Sequence, residues 1–220
     1  MTSSPVTTPP AAPDVPMPAT PAQSQLGPPG RAGAASLRIC LVPAHEAHTF
    51  LAGVAEVAGQ VFTLPPWGEP LDEARAVAER LAGDTQAPGF TFAAALHGDQ
   101  LHGFAYGVRC SRLALLASRV PRRDFTLKEL AVAPQARGFG VGRILHDMIL
   151  AAAPATSWWL VTHTRADAAL ALYRRRGWRA AALHPGKTGT RLIMFRGHGP
   201  SRHRDRSQQE VQPIPRPTSP

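Results

Sequence analysis

Apolar residues recur every three or four positions in four stretches of the chain, which is the period of a helix with one buried face. In the first stretch, Leu51, Val54, Val57 and Val61 fall on a single face. Pro70 opens the second stretch and suits the first turn of a helix, where its missing N–H needs no partner. We predict helices over residues 44–62, 70–81, 142–153 and 167–176.

Between these stretches the apolar residues alternate with polar ones or form short unbroken runs, which are typical of strands. Residues 97–100 separate two such runs as a hairpin turn, and Gly177 ends the last helical stretch. The basic segment 109–124 follows neither period. The pattern alone indicates an α/β or α+β domain, with strands over residues 36–42, 90–96, 101–108, 125–132, 157–162, 179–183 and 190–196.

A glycine-rich segment, residues 135–143, separates the fourth strand from the helix that follows it. Gly138, Gly140 and Gly142 allow the main chain to turn tightly and to approach a ligand, because no Cβ is in the way. The unpaired N–H groups and the positive dipole end of the next helix face the same loop. Strand, glycine loop and helix together predict a phosphate-binding site.

Two nucleotide-binding motifs do not match this loop. A P-loop needs Lys followed by Ser or Thr after its last glycine, but Arg143 and Ile144 follow Gly142. A dinucleotide fingerprint has the spacing G-x-G-x-x-G, whereas this loop has G-x-G-x-G and comes after more than half of the chain. The phosphate must therefore belong to another kind of ligand.

The residues around the loop form a more specific pattern. The strand before it ends in Leu130-Ala131-Val132, and Gln135, Gly138 and Gly140 follow. This arrangement resembles the central motif of the GNAT superfamily, the acyl-CoA-dependent N-acetyltransferases. In that motif a strand ending in Leu-x-Val precedes Gln or Arg, two further residues, Gly, one residue, and Gly or Ala.

A second pattern follows one predicted helix and one predicted strand later. Ala169, Tyr173, Gly177 and Trp178 are similar to the family's second signature, Ala-x-x-x-Tyr-x-x-x-Gly followed by Phe or Trp. The resemblance spans roughly residues 37–196. It implies the GNAT fold, a mixed, mostly antiparallel central sheet with helices on both faces, in the order β-α-α-β-β-β-α-β-α-β-β.

The resemblance implies that acetyl-CoA binds where two central strands part. The main chain of Leu130 and Val132 would pair with the pantetheine arm as an added strand does. The pyrophosphate would lie on amides of the loop, with Arg137 or Arg143 adding charge. The predicted cofactor-binding residues are Leu130, Ala131, Val132, Gln135, Arg137, Gly138, Phe139, Gly140, Val141, Gly142, Arg143, Ala169 and Tyr173.

Acetyl transfer needs an unprotonated amine, a stabilised oxyanion and a proton for the leaving thiolate. Tyr173 matches the family tyrosine that commonly protonates the sulfur, the alternative being a packed tyrosine that only orients the cofactor. The N–H of Val132 is the expected oxyanion donor. Glu129 is one candidate base, or else a surface partner of Lys128. His163 is the other, or else a loop histidine.

The ends of the 220-residue chain differ in composition from its middle. Residues 1–36 are rich in Pro, Ala, Ser and Thr, and residues 199–220 have few large apolar side chains, so both are predicted to be disordered tails. Residues 37–198 form the predicted acetyltransferase domain. No apolar run reaches the length of a membrane span. Cys40 and Cys110 are expected to be free thiols, and no zinc-ligand spacing occurs, so no metal is expected.

The net charge of +9 is divided unevenly along the chain. Residues 37–108 carry 3 basic and 8 acidic side chains, whereas residues 109–195 carry 15 basic and 4 acidic ones. The basic half contains the glycine loop and suits a polyphosphate such as coenzyme A, and the acidic half suits a cationic amine. Residues 109–123 lack the interleaved aromatic residues of a nucleic-acid site, so no specific nucleic acid is expected.

We therefore expect a cytoplasmic N-acetyltransferase, monomeric or homodimeric, that moves an acetyl group from acetyl-CoA to an amine of a small molecule or a protein. The acceptor is expected over the first two helices and residues 65–70, the part of the family that varies. The alternative from another class is a non-catalytic acyl-CoA-binding sensor or partner-binding module.

Overall fold

A computed structural model describes residues 37–197 apart from 154, 156 and 188, and both predicted tails lie outside this part. Seven strands form one sheet: β1 (Leu37–Val42), β2 (Thr91–His97), β3 (Gln100–Arg109), β4 (Asp124–Val132), β5 (Ser157–His163), β6 (Arg179–Gly186) and β7 (Gly189–Gly197). The described α-helices are α1 (Leu51–Phe62), α2 (Leu71–Arg75), α3 (Val77–Asp84), α4 (Arg112–Leu116), α5 (Val141–Ala152) and α6 (Asp167–Arg175).

Three stretches differ from the sequence prediction. The helix predicted over residues 70–81 is divided at Ala76, with φ −62° and ψ −5°, into α2 and α3, and it extends to Asp84. The stretch over residues 44–62 begins as a 3₁₀ helix, Ala44–Phe50, and continues as α1. In its first part the side chains of His48 and Thr49 bond to carbonyl groups three residues earlier, which competes with regular α-helical bonding. The basic segment without a clear period contains the short helix α4.

The strands lie in the order β1-β2-β3-β4-β5-β7-β6. Every neighbouring pair is antiparallel except β4 and β5, which are parallel. The parallel pairing runs over only four residues of each strand, from Asp124 opposite Ser157 to Leu127 opposite Leu160. The predicted mixed, mostly antiparallel sheet with helices on both faces is confirmed.

A β-bulge lies where the parallel pairing ends. Tyr106 of β3 faces Glu129 and Gly107 faces Leu127, so Lys128 is an extra residue on β4. A bulge bends its strand and increases the local twist. Because this bend follows the last residue of β4 that pairs with β5, the two strands part beyond it.

Helices cover both faces of the sheet, which explains the unbroken apolar run of β2. Phe92 and Leu96 pack with the residues of α1 and α3 on one face. Ala93 and Ala95 point to the other face, where they meet α5 residues such as Ile149. Alanine at alternate positions allows α5 to lie close to the strand, since its methyl group takes little space.

Candidate active site

An opening lies between the two parallel strands. Residues 128–132 of β4 and 161–163 of β5 do not pair with each other, and we call this opening the fork. A cavity of about 270 Å³ occupies the fork. Its lining brings together four of the predicted site residues, namely Glu129, Leu130, Ala169 and Tyr173.

The main chain of β4 directs alternate N–H groups into the fork. The N–H of Ala133 donates to the carbonyl of His102 on β3 at 2.9 Å. Successive residues of a strand direct these groups to opposite edges. The amides of Leu130 and Val132 therefore face away from β3 and into the fork, whereas the amide of Ala131 faces β3. The side chain of Ala131 is buried in the core. An extended chain can pair with this free edge of β4.

The predicted glycine loop follows the end of β4. A 3₁₀ turn, Pro134–Ala136, leads into Arg137, and α5 begins after Gly140. Gly138 and Gly140 have φ angles of 86° and 78°, a left-handed conformation that favours glycine. A Cβ at Gly138 would meet nothing within 4 Å, so backbone conformation rather than packing requires glycine there.

The start of α5 carries donors without partners from its own helix. The first N–H groups of a helix have no intrahelical acceptor, and no side chain caps this end. These donors belong to Val141, Gly142 and Arg143. The side chain of Val141 is buried in the core at 1% exposure, so only its main chain is available to a ligand.

The other predicted loop residues lie at the surface. Gln135, Arg137 and Arg143 are exposed, and Phe139 is 77% exposed. The Nε–H of Arg137 donates to the carbonyl of Val132 at 3.1 Å, which ties the loop to the end of β4. Unlike Tyr173 and Glu129, these residues do not line the fork cavity.

Tyr173 lies on α6 and is 6% exposed, with its ring packed near those of His146 and Trp178. Burial raises the pKa of its hydroxyl well above the usual value, and the charge of Glu129 raises it further. The phenol is therefore protonated at neutral pH. Ala169 lies one turn earlier on the same helix, so both side chains contribute to the same wall of the fork cavity.

The carboxylate of Glu129 contacts the guanidinium of Arg80 at 3.3 Å, and its side chain is 23% exposed. Burial raises the pKa of Glu129 to about 7, against the opposing effect of Arg80, and the charge of Glu69 raises it as well. The predicted alternative, an ion pair with Lys128, does not form. Lys128 instead lies 3.4 Å from Asp84, one turn after Arg80 on α3, so the two neighbouring side chains contact different residues of the same helix.

His163 ends β5 and is 2% exposed. Its Nδ1 accepts a hydrogen bond from the main-chain N–H of Arg165 at 3.0 Å, so Nε2 carries the proton of the neutral ring. Nε2 is buried without a hydrogen-bond partner among the described residues. The ring lies edge-on to Trp67, with centroids 6.2 Å apart, and does not line the fork cavity.

Several residues of the cavity were not predicted as site residues. Trp67 and Glu69 come from the segment between α1 and α2, and Arg191 comes from β7. Arg191 contacts Glu69 at 3.3 Å and lies 5.6 Å above the ring of Trp67. The segment between α1 and α2 thus lies across the open end of the fork, which we call its mouth. The sequence does not indicate this contact, because 122 positions separate its partners.

Among the described residues, no group of three or more His, Cys, Asp or Glu side chains is arranged to hold a metal ion. None of the helices in this part of the chain is long and apolar enough to cross a membrane.

A sheet that parts at two parallel strands, with a glycine loop at the end of one of them, defines the class of acyl-CoA-dependent acetyltransferases that the two signatures resemble. The chain belongs to the acetyltransferase (GNAT) family, whose model matches residues 56–178. The match includes the glycine loop and the Tyr173 signature, and it confirms the family predicted from the sequence.

Solved structures share this fold at low sequence identity. The ribosomal-protein-S18-alanine N-acetyltransferase of Escherichia coli is 18% identical over 77% of this chain and 98% of that chain, with a TM-score of 0.53. The PaiA N-acetyltransferase of Thermoplasma acidophilum, in complex with coenzyme A, is 14% identical over 74% and 99%, with a TM-score of 0.52. No curated protein matches the chain.

Proposed function

We propose that this protein transfers an acetyl group from acetyl-CoA to an amine. The observation that carries the proposal is the fork, where the free edge of β4 runs from Glu129 and Leu130 to the glycine loop. An extended ligand that adds to a strand edge gains main-chain hydrogen bonds along its length. The pantetheine arm has this shape, and it would pair with Leu130 and Val132.

The residues of the loop fit the phosphates of the cofactor. The unpaired amides of Val141, Gly142 and Arg143 and the positive end of α5 favour an anion. Gly138 and Gly140 leave the loop without side chains on its ligand side, and exposed Arg143 adds a positive charge. We assign the pyrophosphate to these groups.

When bound, acetyl-CoA supplies a thioester carbonyl that an amine can attack. We assign removal of the amine proton to Glu129, whose pKa of about 7 leaves a large share of the carboxylate ionised at neutral pH. The N–H of Leu130, which faces the fork next to Glu129, would stabilise the negative charge that develops on the carbonyl oxygen, and the N–H of Val132, nearer the loop, would stay paired with the pantetheine arm. Tyr173 would donate its proton to the departing sulfur as the C–N bond forms and the C–S bond breaks.

We assign His163 a structural role at the mouth of the fork rather than a role in proton transfer. Its Nδ1 is engaged by Arg165, its Nε2 carries a proton, and its ring packs against Trp67 outside the cavity lining. Glu129 lies in the cavity wall, so it is the better placed base.

The proposed acceptor is a cationic amine that enters past Trp67. Glu69 and Glu129 both line the cavity, where each contacts an arginine of the same lining, and their carboxylate oxygens can also accept hydrogen bonds from the N–H groups of an amine. The side chains of Glu73 and Lys187 contact each other at 3.0 Å next to the Glu69–Arg191 pair, so two ion pairs connect the segment before α3 with the β6–β7 hairpin.

The test is release of free coenzyme A from acetyl-CoA, measured with a thiol reagent over a panel of small amines and peptides, together with calorimetric titration of coenzyme A. We expect binding of coenzyme A and release of thiol that depends on an amine. Binding without release over the whole panel would favour the non-catalytic sensor, and absence of binding would refute the assignment of the fork.

A further inference from the structure

A large cavity lies at the end of β4 and β5 opposite to the fork. It encloses about 820 Å³, and Asp124 and Ser157, the first residues of the two strands, form its floor. Its walls come from the segment after α4, the turn after α6 and the last residues of β7. The proposed acetyl transfer uses none of these residues.

Arginine side chains set the charge of this cavity, which we call the arginine cavity. Among the described lining residues, Asp124 is the one acidic residue. The five basic residues that line the cavity are Arg119, Arg122, Arg176, Arg179 and Arg196.

The carboxylate of Asp124 forms no ion pair with these arginines. One oxygen accepts hydrogen bonds from the hydroxyl of Ser157 and from Nε1 of Trp159, the latter at 2.9 Å. The other oxygen accepts the main-chain N–H of Arg122 at 2.8 Å. Asp124 is 1% exposed and fixes the ends of the strands, so the guanidinium groups above it keep their charge for a ligand.

Aromatic rings support two of the guanidinium groups. Arg119 lies 5.3 Å from the ring centroid of Phe195, which also lines the cavity. Arg196 lies 5.7 Å from that of Trp158, which lines a neighbouring cavity. Such stacking orders a guanidinium while its N–H donors remain available at the edge.

The other three arginines complete the wall. Arg176 contacts the carboxylate of Asp147 at 2.7 Å. Arg122 and Arg179 are exposed and form no ion pair with any residue in the part of the chain that the structure describes. The cavity therefore has three guanidinium groups, those of Arg119, Arg122 and Arg179, without a carboxylate partner in the described part of the chain, and guanidinium groups of this kind bind phosphate in proteins.

We propose that the arginine cavity binds a small molecule that carries phosphate groups, at a site separate from the fork. The volume of about 820 Å³ lies within the range of small-molecule sites. A phosphate group offers several acceptor oxygens, so it can bond to more than one guanidinium at once. The residues after Gly197 do not suit this basic cavity as its occupant, since residues 198–220 contain four arginines and only two acidic residues.

The test is calorimetric titration with inorganic pyrophosphate. Replacing Arg122 and Arg179 together by alanine should weaken pyrophosphate binding by about tenfold or more, because charge-assisted hydrogen bonds are lost. The matched control is the double substitution Arg123→Ala and Arg38→Ala. It removes the same charge at two exposed arginines that do not line the cavity, and it should bind like the unaltered protein.

A second control separates the two phosphate sites. Gly140→Glu, which is designed to block the glycine loop, should keep its affinity for pyrophosphate. The proposal is refuted if the unaltered protein does not bind pyrophosphate, if both double variants lose affinity equally, or if Gly140→Glu abolishes binding. In the Gly140→Glu variant, whose glycine loop is blocked, tighter binding of ADP than of pyrophosphate would identify an organic phosphate as the ligand, and equal binding would identify the diphosphate group alone.

Discussion

Leu127 and Leu160 form the last pair between the two parallel strands of the sheet. The next residue of β4, Lys128, is the extra residue of a bulge against β3. The bulge therefore bends β4 away from β5 at the position where their pairing stops. A single irregularity on one edge of β4 opens the other edge, and the proposed cofactor site depends on that opening.

Gly140→Glu should reduce the affinity for coenzyme A by at least about a hundredfold, since a carboxylate beside the pyrophosphate repels it. The φ angle of 78° also disfavours any residue with a Cβ, by about 1–2 kcal/mol. Calorimetric titration measures the effect. Gly98→Glu is the matched control, because Gly98 has a φ of 60° in the β2–β3 turn. Equal affinities of the two variants would contradict the loop assignment.

Tyr173→Phe should lower turnover by about 10²–10⁴-fold, the range that general acid catalysis contributes. The affinity for coenzyme A and the melting temperature should change little, because phenylalanine keeps the ring contacts with His146 and Trp178. Steady-state kinetics, calorimetry and thermal unfolding check the three expectations. Turnover equal to that of the unaltered protein would leave Tyr173 only a packing role.

Glu129 should produce a rise in kcat/KM with increasing pH, centred near its pKa of about 7, because a base acts in its ionised form. Arg80→Gln should move this rise to higher pH, since the charge of Arg80 lowers the pKa. Lys128→Gln should move it less, because the effect of Lys128 is smaller.

The matched control for this pH profile is Glu129→Gln, which should lower kcat/KM and remove the rise. If the rise stays at the same pH in the Arg80 and Glu129 variants, another group controls it.

Local features of the fold and site could be predicted from sequence, and distant contacts could not. The glycine loop was predictable because the spacing of Gln135, Gly138 and Gly140 acts within a few residues. The partner of Glu129 was not, because Arg80 lies 49 positions away and is brought to it by the packing of α3 against the sheet. The opening of the fork was implied by the family resemblance, but the bulge at Lys128 that bends β4 leaves no signal in the apolar pattern.

A hydrogen-bonded chain joins α5 to Trp178, the residue before β6. Nε1 of Trp178 donates to Nε2 of His146 at 2.8 Å, and Nδ1 of His146 bonds to Asp147 at 2.8 Å. Burial lowers the pKa of His146 below the usual 6.5, against the opposing effect of Asp147. The folded protein thus binds this proton less tightly than the unfolded chain, so stability is full above about pH 6.5 and falls below it.

His146→Leu should make the unfolding free energy less dependent on pH below about 6.5. At neutral pH it should also lower that energy by about 1–3 kcal/mol, because the buried N–H of Trp178 loses its acceptor. Urea unfolding over a pH series measures both effects. The control is His45→Leu, since His45 is 80% exposed and its replacement should change the unfolding free energy at neutral pH by no more than about 0.5 kcal/mol. Parallel curves for His146→Leu and the unaltered protein would contradict the expectation.

Gly107→Ala should destabilise the sheet beside the bulge by about 1–3 kcal/mol, as overpacking does. A Cβ at Gly107 would overlap the carbonyl oxygen of Thr126 and the ring of Phe125. Gly83→Ala is the matched control on α3, where a Cβ meets nothing within 4 Å. That change should stabilise the protein by about 0.5–1 kcal/mol, because alanine loses less entropy in a helix. Urea unfolding distinguishes the expected loss of stability in Gly107→Ala from the expected gain in Gly83→Ala. Equal effects would mean that β3 and β4 do not approach each other at Gly107 as described.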